Sequence, residues 1–156
     1  MKRRIKSIVR IALLLSVIMT FSVTVSGQTG SEKKKLTLML YMCGSNLESE
    51  SGAASRDIQE ILRTGYNMEE VNVLAMIGGS TKWWGGFSTN ETAIYEIAGR
   101  RPKKLYADGL LNMGQTDSLK LLLDYGYGNF PAEKYALVLW DHGGGPMRGV
   151  CWDSLY

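Results

Sequence analysis

The sequence predicts a three-layer α/β fold with a mostly parallel sheet that stops after its third core strand. Three observations carry that prediction. Three short apolar runs, 36–42, 71–77 and 134–140, are nearly continuous, as strands covered on both faces are. Amphipathic stretches lie between them, at Ser51–Arg63 and Thr116–Asp124. Each run ends abruptly in a polar or glycine-rich loop, at Cys43–Asn46, Gly78–Gly86 and Asp141–Gly145.

The elements follow in order. The first run, Leu36–Met42, reads as a buried strand and Cys43–Asn46 as the loop after it. In Ser51–Arg63 the residues Ile58, Ile61 and Leu62 share one helix face, and Gly65 stands where a helix commonly ends. Val71–Ile77 completes a strand–helix–strand unit, which is right-handed and parallel in nearly all cases. Ala93–Ile97 and Lys104–Ala107 alternate around Gly99-Arg-Arg-Pro102 and predict a hairpin at the sheet edge, its basic turn a solvated tip. Trp83 and Trp84 sit in a glycine-flanked loop and are read as capping the edge of the core. Thr116 is the expected N-cap of the second helix and Gly126 its end. Lys134–Trp140 is a third buried strand, and Val150–Trp152 the start of a further short one. With no helix after the third strand, one face and one edge of the sheet are expected to lie bare.

Charge is unevenly spread. The 156 residues carry a formal charge of +3, from 18 basic and 15 acidic side chains. Lys2, Arg3, Arg4, Lys6 and Arg10 all lie in residues 1–27, which contain no acid. Taking those 5 from 18 leaves 13 bases against 15 acids, a net of −2 for the rest. The basic excess therefore belongs to the N-terminus, and a nucleic-acid partner is not expected. Residues 1–27 have a cationic start, an apolar stretch and the small residues Val25-Ser26-Gly27, the parts of a secretory signal. Kept uncleaved, the segment would be the chain's one membrane contact. Residues 28–35 are read as a solvated tether and 36–156 as the folded domain. Two cysteines, Cys43 and Cys151, exclude a disulfide-rich scaffold and a four-cysteine zinc site. Both are read as small buried hydrophobes; their pairing is left open.

In open parallel sheets, reactive groups collect beyond the carboxyl ends of the strands. His142, the only histidine, stands there, directly after the third strand and before three glycines that leave backbone N–H groups unencumbered. Asp141, adjacent in sequence, is not read as its orienting partner. There is no Gly-x-Ser-x-Gly elbow, phosphate-binding loop or dinucleotide fingerprint.

Leu38–Glu48 together with Ala136–Gly145, supported by Gly78–Trp83 and Gly149–Asp153, resembles the clostripain-like cysteine peptidases, relatives of gingipain, legumain and the caspases. The resemblance covers roughly residues 36–153. It implies a caspase-like α/β sheet, His142 as catalytic histidine, and the Gly143 N–H as a donor to the oxyanion. It also implies an exported endopeptidase that acts on peptide or protein substrates after Arg or Lys and self-processes, with calcium dependence known among its members. The sequence itself requires no cofactor. The family's nucleophile follows the next strand, beyond Tyr156, and Cys151 does not occupy that position. The expectation is therefore the histidine-bearing part of a peptidase, inactive alone and completed by a C-terminal chain. Two alternatives remain: an esterase or lipase fragment using His-Gly-Gly-Gly as an oxyanion loop, and a non-catalytic exported domain.

Overall fold

The computed structural model describes residues 33–156. The secretory-signal reading of residues 1–27 and residues 28–32 of the tether lie outside the described residues. The elements are β1 (Lys34–Cys43), α1 (Ser45–Ser51), α2 (Ala53–Thr64), β2 (Val71–Gly78), β3 (Thr92–Glu96), β4 (Lys103–Asp108), α3 (Thr116–Asn129), β5 (Ala132–Trp140) and the short α4 (Gly145–Arg148). They build one five-stranded sheet in the order β4-β3-β2-β1-β5. β1 pairs in parallel with β2 and β5, while β3 and β4 continue antiparallel from β2 as the expected edge hairpin.

Strand side chains alternate between the two sheet faces, and the cores follow that alternation. Leu40 and Met42 of β1 join Val73, Ala75 and Ile77 of β2 under α2, which contributes Ala54 and Ile58. Met39, Tyr41 and Cys43 join Leu74, Met76 and Ile94 on the opposite face, beneath Leu122 of α3. Helix, sheet and helix make the three layers, and the central strands are covered on both faces as their continuous apolar runs require.

Several local expectations are corrected. β1 begins at Lys34, inside the stretch read as tether, with Lys35 Nζ donating to Glu70 Oε1 at 2.5 Å. Cys43–Asn46 is no extended loop, because α1 starts at Ser45. Gly52, with φ +68°, breaks α1 from α2, a left-handed conformation that favours glycine. Thr116 opens α3 from inside, and Gln115 holds the cap position without a side-chain bond. Gly126 does not end α3. A Cβ there would collide with Met39 Sδ, so the glycine lets the helix lie close on β1. No strand forms at Val150–Trp152, whose Trp152 N–H is spent on the Asp141 carboxylate. Among the described residues β5 pairs only with β1, and Leu137, Val138 and Leu139 remain 39–41% exposed, so the third strand is not buried.

Candidate active site at the carboxyl ends of the parallel strands

The carboxyl ends of β1, β2 and β5 meet. In register, Met42 of β1 faces Trp140 of β5, and Cys43 faces Gly78 of β2. Chain reversal just past β1 is tied down by the Ser45 N–H donating to Gly79 O at 2.9 Å and Ser80 Oγ donating to Ser45 O at 2.7 Å. Gly44 stands under the Trp83 ring, where a Cβ would lie 2.7 Å from Cζ2. Trp83 is thus a core residue, as expected, whereas Trp84 is 58% exposed with Lys82 Nζ 3.6 Å from its ring centroid.

His142 is exposed at this junction, and its Nε2 lies 2.6 Å from Asn46 Oδ1. The amide of Asn46 points its Nδ2 toward Glu50 Oε1, 3.5 Å away, leaving Oδ1 for the ring. An amide oxygen only accepts, so Nε2 carries the hydrogen in the neutral ring and Nδ1 keeps its lone pair. Asn46 is therefore the group that orients His142. Its one signal in the sequence is a polar side chain just past β1, the strand that neighbours β5.

Asp141 points elsewhere, as expected. Its Oδ1 accepts from Ser45 Oγ at 2.7 Å and its Oδ2 from the Trp152 N–H, so it joins the β1 turn to the C-terminal segment. Asp153, buried, accepts from the N–H groups of Met113 (2.7 Å) and Leu155 (2.8 Å). Gly143 has φ +70°, and its N–H donates to Val150 O at 3.3 Å, a long bond. Cys43 is buried and Cys151 half-buried in the same core region. The neighbouring Cys151 thiol, with burial adding to it, pushes the Cys43 thiol up, and the neighbouring Cys43 lowers Cys151.

Glu48 supports the site from beneath. Its fully buried carboxylate accepts from Ser55 N (2.9 Å), Ser55 Oγ (2.6 Å) and Trp84 N (2.7 Å), and Ser55 Oγ in turn accepts from Gly85 N (2.7 Å). One side chain thereby caps the first turn of α2 and fixes the Trp83–Gly85 loop. Nothing in the sequence marks this role, since Cys43–Asn46 reads as a loop and the helix as starting at Ser51.

A mixed α/β sheet of this kind, with helices on both faces, is shared with solved C11 cysteine proteases. A B. fragilis cysteine protease superposes with TM-score 0.59 at 17% identity over 74% of this chain and 94% of that one. A secreted C11 cysteine protease from Bacteroides thetaiotaomicron, solved with an irreversible peptide inhibitor, gives 0.55 at 16% identity over 72% of this chain and 30% of that one. Clostripain of Hathewaya histolytica is 27% identical over 157 residues, covering 83% of this chain and 29% of that protein's length. The clostripain-family model matches residues 40–156, and the chain belongs to that cysteine peptidase family.

Proposed function

We propose that this chain is the histidine-bearing part of an exported cysteine endopeptidase that hydrolyses peptide bonds after Arg or Lys. The observation that carries the reading is His142 held by Asn46 at the end of β5, beside the sheet edge that has no partner strand. A strand added along β5 would end next to the imidazole, and a cysteine at that end would complete a dyad.

In that dyad His142 Nδ1 takes the thiol proton as the sulfur attacks the scissile carbonyl carbon. Charge develops on the carbonyl oxygen, and the Gly143 N–H, released from its long bond to Val150, turns to it. The imidazolium then returns its proton to the departing amine, and water hydrolyses the thioester with His142 again as base. Asn46 acts through His142 and is a positioning residue.

The family match leaves the esterase alternative without support. Calcium remains a proposal of the resemblance alone. Among the described residues no group of three or more His, Cys, Asp or Glu side chains could hold a metal ion. Export rests on the N-terminal segment and on the secreted relative. Among the described residues no helix is long and apolar enough to cross a membrane.

The test is to read the coding DNA past the Tyr156 codon, in all frames, and to express the continuous chain. We expect a fourth core strand ending in Cys, turnover of Arg- or Lys-ended peptides, and loss of at least about a thousandfold in kcat for His142→Ala. No such strand, or full activity in the variant, refutes the proposal.

A further inference from the structure

From the meeting of Cys43 and Cys151 beneath the candidate site we propose that these residues form an intramolecular disulfide, a covalent clamp that holds the C-terminal segment against the end of β1. The inference does not depend on the peptidase reading.

Independent contacts place the two residues together. Cys43 is the last residue of β1 and lies wholly buried on the α3 side, and Cys151 packs against the same cluster. A Cβ on Gly79 would stand 2.8 Å from Cys43 Sγ and 3.3 Å from Asp153 Oδ2, so these two atoms are within about 6 Å of one another across a glycine that leaves the space open. Asp153 is two residues beyond Cys151, and its carboxylate is anchored to the Met113 N–H. Between them, Trp152 N–H is anchored to Asp141. Cys151 is thus held by its chain neighbours in the cluster that contains Cys43.

The pair is also asymmetric in the way that exchange chemistry uses. Cys151 is half-buried and its thiol is lowered by the neighbouring Cys43, while Cys43 is buried and raised. Cys151, as thiolate, attacks one sulfur of a low-molecular-weight disulfide such as oxidised glutathione, breaking that S–S bond and releasing one thiolate. Cys43 then gives up its proton and attacks Cys151 Sγ in the mixed disulfide, releasing the second thiolate. Two protein thiols are oxidised, one small disulfide is reduced to two thiols, and the protein loses two hydrogens.

Closed, the bond ties Cys151-Trp152-Asp153 to the turn that carries Ser45 and Asn46, and so to the two residues that hold Asp141 and His142. It also removes both thiols of this chain from peptide chemistry.

The test equilibrates the purified chain with oxidised glutathione, blocks remaining thiols with N-ethylmaleimide under denaturing conditions and maps the peptides by mass. We expect a monomer lighter by about 2 Da, no maleimide on either cysteine, and a linked peptide pair containing Cys43 and Cys151. Maleimide on both residues, stable glutathione adducts, or linked dimers overturn the proposal. In Cys43→Ser we expect Cys151 trapped as the glutathione adduct; in Cys151→Ser, an unreacted Cys43. The reverse pattern refutes the order of attack. Hydrogen exchange on the wild-type chain reads the clamp itself: amides of 149–153 should exchange at least about tenfold more slowly oxidised than reduced, and equal rates contradict it.

Discussion

At the scale of single residues the site is built by side chains that touch no substrate. Asn46 decides which nitrogen of His142 bears the hydrogen, because its amide oxygen accepts from Nε2. In the complete peptidase, Asn46→Ala is expected to lower kcat about 10- to 100-fold with little change in KM, since the loss falls on the base and not on substrate contacts. Asn46→Asp places a carboxylate against the imidazole, favours the charged ring and moves the acidic limb of the pH–rate profile upward. A pH profile unmoved by Asp, beside an unimpaired Ala variant, would contradict the orienting role. Glu48 is a different case, a buried carboxylate whose worth is structural. Removing it strands the N–H groups of Ser55 and Trp84, so Glu48→Ala should cost about 3 kcal/mol in denaturant unfolding. A change below about 1 kcal/mol would show that these donors find other partners.

At the scale of elements, β5 shows how a strand's surroundings override its sequence. Its Leu-Val-Leu run has the look of a strand buried on both faces, yet Leu137, Val138 and Leu139 are exposed because β5 pairs with β1 alone. An unpaired apolar edge invites another chain. Sedimentation of this chain should therefore show concentration-dependent association, and Val138→Glu should shift it toward monomer without moving the unfolding midpoint by more than a few degrees. Monomer at all concentrations in the unaltered chain would contradict that reading. The same contrast explains what the sequence revealed and what it hid. β1, β2, the hairpin and α3 were legible because apolar periodicity reports burial directly. α1 was not, because its start is held by Ser80 and Gly79 from another segment. Gly126 misled because a glycine that ends a helix and one that allows close packing look alike in one dimension. His142 was legible from its place after a strand and before glycines. Asn46 was not, since its role appears only once β1 and β5 lie side by side.

At the scale of the whole molecule, the described residues form a three-layer sandwich with both cores closed around β1 and β2 and with one open flank along β5. The candidate histidine stands at the end of that flank. The chain spans 29% of the length of the clostripain it matches, while the B. fragilis cysteine protease chain is covered to 94%. In the proposed reading His142 supplies the base and a strand added along β5 supplies the nucleophile. The most direct test is turnover of an Arg- or Lys-ended fluorogenic peptide amide by the reduced 156-residue chain alone. The account predicts a rate equal to the blank; thiol-sensitive turnover that disappears in Cys151→Ala but survives in Cys43→Ala would contradict it.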